Sequence, residues 1–302
     1  MFNTPEGYRS GFVALVGRPN VGKSTLLNKL VGQKVAIMSD KPQTTRHKIH
    51  SVLSRNDAQI IFLDTPGIHK PRHKLGEHLV DVALGALKEV DVVLFLAEAS
   101  DPPGAGDQYI AEQLKGLKTP VFLLLNKIDL IKKEEILERI HQYKDLAPFA
   151  EIVPVSALAG ENVDRLIDVI IRYLPEGPQY YPAEMVTDRP ERFIMAEIVR
   201  EKVLHLTSEE IPHSVAVVVE QMQKRSNGLV AVNAIIYTER DSQKAILIGK
   251  GGKMLKEVGR RAREEIENLL GSKVYLELWV KVKKDWRNKM ADLKNFGLFE
   301  EE

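Results

Sequence analysis

The segment GRPNVGKST at residues 17–25 constrains the fold of this chain more than any other stretch. It fits the pattern G-x-x-x-x-G-K-[ST] and lies between the apolar run FVALV (12–16) and the helical pattern STLLNKLVG (24–32). In such a strand–loop–helix unit, backbone N–H groups surround phosphate oxygens and the helix N-terminus adds partial positive charge. A chance Lys-Ser after a glycine turn is the alternative, but it leaves the flanking strand and helix unexplained. We therefore expect a nucleotide-phosphate site in this loop.

Two side chains of the loop have specific expected contacts. Lys23 should reach the β- and γ-phosphates, and the Ser24 hydroxyl should ligate Mg²⁺. The candidate phosphate-binding residues are Gly17, Arg18, Pro19, Asn20, Val21, Gly22, Lys23, Ser24 and Thr25.

Four more apolar runs follow, separated by amphipathic stretches. They are IIFL (60–63), VVLFLA (92–97), VFLLL (121–125) and IVPV (152–155). Nearly continuous apolar strands are typical of parallel sheets covered on both faces. Alternation of strand and helix predicts an open, mostly parallel α/β sheet with helices on both sides.

The pattern changes after LPEGPQYYPAEMVTDRP (174–190), whose prolines predict a semi-rigid connector. A helical pattern (192–206) is followed by the strand patterns 214–224 and 229–240, which RSNG separates, and later by the alternating run KVYLELWVKVKK (273–284). We expect a first domain at 8–175, a connector at 176–190, and an α+β domain at 191–302 with antiparallel pairing and a basic C-terminal tail.

Composition excludes several classes of protein. The 302 residues suffice for two domains, and the absence of cysteine excludes disulfides, cysteine ligands and cysteine nucleophiles. A net charge of +1 means that any nucleic-acid site must be a local feature. No apolar run approaches the roughly 20 residues of a membrane span, and the N-terminus lacks a secretory leader pattern. A cytoplasmic location is the expectation.

Three short motifs complete the nucleotide site in a fixed order: DTPG (64–67), NKID (126–129) and SAL (156–158). Asp64 can hold Mg²⁺ through water, and Gly67 can offer its N–H to the γ-phosphate. The Asp129 carboxylate can accept both N–H donors on one edge of guanine, which selects GTP over ATP. The candidate residues around the base are Asn126, Lys127, Asp129, Ser156, Ala157 and Leu158.

This ordered set resembles the translation-factor-related class of P-loop GTPases. The resemblance implies that KPQTTRHK (41–48) is a nucleotide-sensing switch in which Thr45 closes over Mg²⁺ and the γ-phosphate. Thr44 is the second candidate, because the register of the motif is open. The implied catalytic residues are Lys23, Thr45, Asp64 and Gly67, and the implied Mg²⁺ ligands are Ser24, Thr45 and, through water, Asp64.

Ile68 follows DTPG where Ras-like GTPases carry the glutamine that orients the attacking water. The resemblance implies that Asn20 binds K⁺ beside the phosphates. We therefore expect slow intrinsic hydrolysis that K⁺ stimulates. The histidines of IHKPRHKLGEH (68–78) could hold a metal, but a mobile, solvated segment is the favoured interpretation and no metal is assigned there.

A second glycine turn, GKGG (249–252), lacks the spacing and the hydroxyl of a second phosphate loop. Its G-x-x-G spacing, flanked by an apolar run and a helix, matches the KH module, which clamps a nucleic-acid backbone and accepts bases in an apolar groove. Single-stranded RNA is the expected ligand, although single-stranded DNA is physically possible. The candidate RNA-binding residues are Ile246, Ile248, Gly249, Lys250, Gly251, Gly252, Lys253 and Lys256.

The helix after this turn has its basic residues first and its acidic residues last, opposite to the preference of the helix dipole. An external anion would explain that order. Intrahelical pairs are the alternative: Lys253–Glu257, Arg260–Glu264, Arg261–Glu265 and Arg263–Glu267. The basic cluster VKVKKDWRNK (280–289), with Trp286, is left open between RNA contact and a solvated C-terminal element.

The GTPase motifs, connector and GKGG turn together resemble the Era family of bacterial ribosome-assembly GTPases. The resemblance implies a type II KH-like domain that binds the 3′ end of small-subunit ribosomal RNA under control of GTP. We expect a monomer with no DNA partner and at most a peripheral membrane association. A scaffold whose nucleotide only stabilises the fold is the competing hypothesis. A tRNA-modifying GTPase is disfavoured by the KH-like domain and the lack of cysteine.

Overall fold

The computed structural model describes residues 4–41, 44–46, 49–68 and 74–298, which form two compact units. The first unit contains the described residues within Met1–Ala36, Thr45–Arg72 and Gly76–Asp188. The second contains those within Ile37–Thr44, His73–Leu75 and Arg189–Glu302. None of the helices in these described ranges is both long and apolar enough to span a membrane.

The first unit is built on a six-stranded sheet in the order β2-β3-β1-β4-β5-β6. Its strands are β1 (Arg9–Gly17), β2 (Ile49–Ser54), β3 (Ala58–Asp64), β4 (Val92–Glu98), β5 (Val121–Asn126) and β6 (Phe149–Val155). All neighbours are parallel except β2, which pairs antiparallel with β3. The five apolar runs lie in β1 and β3 to β6. The edge strand β2 escaped prediction because IHSVLS carries polar residues at both alternating positions.

Helices cover both faces of this sheet. They are α1 (Lys23–Val31), α2 (Lys74–Ala86), α3 (Ala105–Leu114), α4 (Lys133–Tyr143) and α5 (Val163–Tyr173). Alternate residues of β1 enter opposite cores: Val13 and Leu15 pack with α1 and α5, whereas Ala14 and Val16 pack with α2, α3 and α4. Because both faces are buried, the central strands carry apolar residues on both alternating faces. Gly32 ends α1, with φ 73°.

The proline-rich segment after α5 is fastened to the first unit. It forms no strand, but the Gln59 side chain, which is 0% exposed, holds it through three hydrogen bonds. Gln59 Oε1 accepts from Tyr180 N (2.8 Å) and Tyr181 N (3.0 Å), and Gln59 Nε2 donates to Tyr181 O (2.8 Å). Further along, Val52 N donates to Val186 O at 2.9 Å. Through residue 188 the connector is therefore part of the first unit's packing.

The second unit contains a three-stranded sheet in the order β7-β8-β9. Its elements are α6 (Glu191–Leu206), α7 (Ile211–Ser214), β7 (Ala216–Lys224), β8 (Val230–Thr238), α8 (Asp241–Ile248), α9 (Lys253–Leu270), β9 (Val274–Val282) and α10 (Met290–Asn295). The antiparallel expectation is right for β7 and β8 but wrong for β9, which runs parallel to β8. The crossover through α8 and α9 explains this, since parallel neighbours need a long connection.

The C-terminal tryptophan belongs to the interior of the second unit. Trp286 is 0% exposed, its Nε1 donates to Ser214 O at 3.0 Å, and its ring meets Phe296 edge-on with centroids 5.2 Å apart. The indole is therefore not part of a solvated tail, nor is it exposed for contact with RNA.

Replacing Gln59 by leucine should loosen the connector. The backbone N–H groups of Tyr180 and Tyr181 lose their acceptor, which should lower the free energy of unfolding of the first unit by about 2–4 kcal/mol. Denaturant unfolding and limited proteolysis within residues 174–188 measure the effect. Gln113→Leu, at an exposed position of α3, is the matched control. Equal stability of the two variants would contradict the proposed fastening.

Candidate nucleotide site and nucleic-acid interface

The glycines of the GRPNVGKST loop allow close backbone approach. Gly22 has φ 99° and forms the N-cap of α1, and a Cβ placed on it would lie 2.2 Å from Asn126 Nδ2. A Cβ on Gly17 would lie 2.5 Å from Leu96 O. Both positions therefore exclude a side chain, so the backbone itself lines the loop.

Lys23 is held across this loop. Its Nζ donates to Arg18 O (2.9 Å) and Gly17 O (3.2 Å), and the residue is only 6% exposed. Burial lowers the pKa of Lys23 to about 8, and attraction to Asp64 opposes that shift. A desolvated ammonium group with carbonyl contacts on one side is well placed to meet phosphate oxygens on the other.

Three oxygen-bearing side chains converge beside Lys23. Ser24 Oγ lies 3.1 Å from Thr45 Oγ1, and Asp64 Oδ2 accepts from Thr45 (3.3 Å) and Ser24 (3.4 Å). Asp64 is 0% exposed, and its Oδ1 has no hydrogen-bond partner among the described residues. Burial raises the pKa of Asp64 to about 6, which Lys23 partly offsets. Hydroxyl and carboxylate oxygens with an unpaired buried atom fit Mg²⁺.

The structure distinguishes the two candidate threonines. Thr45 contributes its hydroxyl to this oxygen cluster, whereas Thr44 Oγ1 donates to Lys41 O at 2.5 Å. Thr45 is therefore the residue placed to complete a cation site. Pro42, Gln43, His47 and Lys48 of the same segment lie outside the described residues.

The base-binding motifs meet at the carboxyl edge of the sheet. Asn126, at the end of β5, donates from Nδ2 to Val21 O (2.8 Å) and accepts at Oδ1 from Ala157 N (2.9 Å). Ser156 Oγ donates to Asp129 Oδ1 at 2.5 Å, which orients that carboxylate. Asn126 thus connects the phosphate loop to SAL, and the structure brings NKID and SAL together beside that loop.

The DTPG turn lies against the phosphate loop. A Cβ on Gly67 would lie 2.9 Å from Pro19 N, and Ile68 N donates to Gly17 O at 3.2 Å. Ile68 is 2% exposed, so its side chain belongs to the core. Asn20, in the same loop, has φ 67°. The histidine-rich stretch is outside the described residues from 69 to 73. Residues 4–41, 44–46, 49–68 and 74–298 contain no group of three or more histidine, aspartate or glutamate side chains that could hold a metal ion.

One residue that supports the loop was missed from the sequence. Asp107 on α3 is 0% exposed and accepts from Arg18 Nε at 2.9 Å, while its other oxygen accepts from Gly104 N at 2.9 Å. An aspartate three residues after a helix N-cap is a weak capping signal in the sequence. Its second partner, 89 positions away, is visible only in the fold.

The second glycine turn links α8 to α9. Gly249, Gly251 and Gly252 have φ values of 70°, 62° and 76°, and Gly252 is the N-cap of α9. A Cβ on Gly249 would lie 2.8 Å from Met254 Cβ, whereas Gly251 and Gly252 have nothing within 4 Å of that position. The last two glycines therefore present open backbone beside a helix N-terminus, which is suited to a phosphate.

A groove of about 740 Å³ lies between α9 and β9. The predicted residues Gly252, Lys253 and Lys256 line it, whereas Ile246 and Ile248 do not. Sequence reasoning missed the rest of the lining, which is Leu255, Glu257, Gly259, Arg260, Arg263, Val274, Tyr275, Leu276, Glu277 and Leu278. The β9 contribution depends on how the strand pairs, which the local pattern does not reveal.

The charges of α9 are only partly paired within the helix. Arg260 pairs with Glu264 (2.7 Å) as expected, but Arg261 pairs with Glu257 (2.6 Å), and Glu265 pairs with Lys202 of α6. Hydrogen bonds from Arg260 and Arg261 lower the pKa of Glu257 to about 2. In the described part of the chain, no ion pair or hydrogen bond through a side chain involves Lys250, Lys253 or Lys256.

The segment Ile37–Thr44, which directly precedes Thr45, is held by α6 within the second unit. Glu201 Oε1 accepts from Met38 N at 2.8 Å, His205 Nε2 lies 2.8 Å from Met38 O, and Arg200 donates to Thr44 O. Arg200 and Glu201 are 2% and 1% exposed. The segment that directly precedes Thr45 is therefore held in position by hydrogen bonds from Arg200 and Glu201.

Comparison with known proteins finds a family match in each of the two units. Residues 12–127 match the family described as 50S ribosome-binding GTPase, and residues 210–287 match the KH domain. GTPase Era of Staphylococcus haemolyticus (strain JCSC1435) is 60% identical over 295 residues, 98% of this chain and 99% of that protein. The chain belongs to the Era family of GTPases. The predicted α/β GTPase domain and C-terminal KH domain are confirmed, and the protein is a GTPase.

Two crystal structures of Era are similar to the whole chain. Era in complex with MgGDPNP and nucleotides 1506–1542 of 16S ribosomal RNA has a TM-score of 0.94, and a variant of Aquifex aeolicus Era bound to GDP·AlF4⁻ has 0.93. Each of the two is 45% identical to this chain in sequence. Each match covers 97% of this chain and 100% of the chain in the crystal structure.

Replacing Asn126 by alanine should weaken nucleotide binding. Two buried backbone groups, Val21 O and Ala157 N, lose their partner, and each such loss costs about 1–3 kcal/mol. The affinity for GDP and GTP should therefore fall by about tenfold or more in titrations with a fluorescent guanine nucleotide. Asn56→Ala, in the exposed β2–β3 turn at the opposite end of β3, should leave the affinity unchanged.

Proposed function

We propose that this protein is a GTP-controlled switch that binds single-stranded RNA at the 3′ end of the small-subunit ribosomal RNA and assists assembly of that subunit. The observation that carries the proposal is the similarity, over nearly the full chain, to Era bound to MgGDPNP and nucleotides 1506–1542 of 16S ribosomal RNA. The open GKGG turn and the adjoining groove supply a physical site for such a strand. The protein acts as a monomer on RNA, in the cytoplasm where ribosomal subunits assemble.

The nucleotide site supports recognition of Mg²⁺ and GTP. Ser24, Thr45 and, through water, Asp64 hold Mg²⁺, which neutralises charge on the phosphate oxygens when it is bound. Lys23 contacts the β- and γ-phosphates, and Gly67 offers its N–H to the γ-phosphate. Asp129, oriented by Ser156, accepts from guanine, and Leu158 covers the base with its exposed side chain. Adenine presents a different edge to Asp129, so ATP is rejected.

In the RNA site, the glycine turn contacts phosphates and the groove accepts bases. The open backbone of Gly251 and Gly252, with Lys250, Lys253 and Lys256, contacts phosphates. Leu255, Gly259 and the β9 strand line the groove where bases enter. Thr45 belongs to the oxygen cluster, and the residue before it is held by Arg200 of α6. The γ-phosphate that recruits Thr45 therefore acts on a segment anchored to the RNA-binding unit.

The switch hypothesis predicts that RNA affinity depends on the nucleotide. RNA of the small-subunit 3′-end sequence should bind the full chain about 5- to 100-fold differently with GDP and with a non-hydrolysable GTP analogue, which is the usual range of coupling between sites. Equal affinities would favour the competing hypothesis, an RNA scaffold whose nucleotide only stabilises the fold. Fluorescence anisotropy of labelled RNA measures both states.

The variant Gly251→Asp tests the RNA site itself within the same measurement. It places a carboxylate in the open space where phosphate approaches, so RNA affinity should fall by about tenfold or more while GTP binding persists. Gly271→Asp is the matched control, because Gly271 also has a positive φ (60°) and open space, at the far end of the same helix. A similar loss in both variants would indicate backbone strain instead.

We also propose that K⁺ beside Asn20 assists hydrolysis, because Ile68 cannot orient water. GTP turnover should be slow and several-fold faster in KCl than in NaCl at matched ionic strength. Asn20→Ala should remove the difference between the salts while GDP binding persists. Equal turnover of the unaltered protein in both salts would exclude a role for K⁺.

A further inference from the structure

The outer face of β9 carries two exposed aromatic side chains. Val274 and Val280 face the core, at 4% and 7% exposure, whereas Tyr275 and Trp279 are 51% and 58% exposed. Alternation along a strand puts Tyr275 and Trp279 on the same face, about 13 Å apart over four residues. Two large aromatic side chains exposed to solvent on one strand do not stabilise the core, and exposed apolar surface of this kind often marks a binding site.

The surroundings of these rings are polar and cationic. The Arg225 guanidinium lies 5.7 Å from the centroid of the Tyr275 ring, and Lys281 lies two residues beyond Trp279 on the same face, within 4.0 Å of Glu220. Opposite Trp279 in the β8 register is Ile235, which is 2% exposed. The polar residue Glu277 separates the rings, so they do not form one apolar patch.

The two rings flank the groove. Tyr275 is part of the groove lining, together with Arg263 near the end of α9. Since a short connection joins α9 to β9, the two elements run in opposite directions. Leu278, and therefore Trp279, lies toward the GKGG end of the groove, whereas Tyr275 lies toward its far end.

We propose that Trp279 and Tyr275 are stacking sites for bases of the same RNA strand that extend beyond the groove at each end. The inference rests on the proposed RNA-binding function and extends the RNA site to nucleotides bound outside the groove. Aromatic rings accept any base on their faces, and a nearby arginine adds cation–π attraction. Separate rings beside cations suit a strand with spaced bases, because each ring can stack one base while the cations attract the phosphate backbone.

Tryptophan fluorescence gives a direct test on the full chain. The protein has two tryptophans, and Trp286 is 0% exposed, so quenching by a bound base reports on Trp279. We expect a twelve-nucleotide RNA of the small-subunit 3′-end sequence to quench the emission. A four-nucleotide RNA, about the length that a KH groove clamps, should leave it unchanged. Binding of the longer RNA without quenching would overturn the inference.

Variants of Trp279 separate stacking from folding. Trp279→Ala should weaken binding of the twelve-nucleotide RNA by about 5- to 100-fold, which corresponds to the loss of one stacked base. Trp279→Phe should restore most of the affinity. Affinity for the four-nucleotide RNA and GTP turnover should not change in either variant. Met222→Ala is the control, because Met222 is 40% exposed on β7, the opposite edge strand.

The outcomes separate this inference from the function on which it rests. If the unaltered chain binds neither RNA, the proposed function fails. If it binds the longer RNA and Trp279→Ala binds it equally well, only the stacking inference fails. Unchanged RNA affinity combined with weaker binding to whole small subunits would instead assign Trp279 to a ribosomal protein, which also overturns the inference.

Discussion

Two opposite charges buried at the carboxyl edge of the sheet organise the first unit. Lys23 and Asp64 are 6% and 0% exposed, and burial disfavours the charged form of both. A pair of this kind persists when its remaining atoms have partners, and here one carboxylate oxygen has none among the described residues. A phosphate beside the lysine and a cation beside the carboxylate would complete the pairing, as proposed above for this site.

The sheet order makes this arrangement possible. β1 lies between β3 and β4, so the phosphate loop after β1 is next to Asp64 at the end of β3. Asn126 at the end of β5 reaches across to Val21 in the same loop. Parallel strands bring their carboxyl ends to one edge, and ligands of open α/β sheets bind there. The second unit has a simpler candidate site for phosphate. Its positive-φ glycines expose backbone, and the N-terminus of α9 supplies partial positive charge.

Sequence reasoning succeeded where the signal is local. Apolar runs predicted five strands of the first sheet, and motif spacing predicted residues that the structure brings together around the loop. Sequence reasoning failed where the structure depends on strand pairing or on contacts between distant residues. β2 was missed because its polar residues hide the strand pattern, and β9 was expected to be antiparallel although its crossover makes it parallel to β8. Trp286 lay in a basic cluster and yet is buried, because its partners Ser214 and Phe296 come from other segments.

The sequence by itself determined the motifs: a phosphate loop, the NKID aspartate proposed to select guanine, and a glycine turn, each encoded within a few neighbouring residues. The tertiary structure decided which residues share a site. Thr45, and not Thr44, contributes its hydroxyl to the oxygen cluster, and Arg18 pairs with Asp107. Gln59 binds the connector through hydrogen bonds, and β9 lines one side of the groove. These choices depend on contacts between residues far apart in the chain. Such contacts exist only once burial of the cores has fixed the strand order.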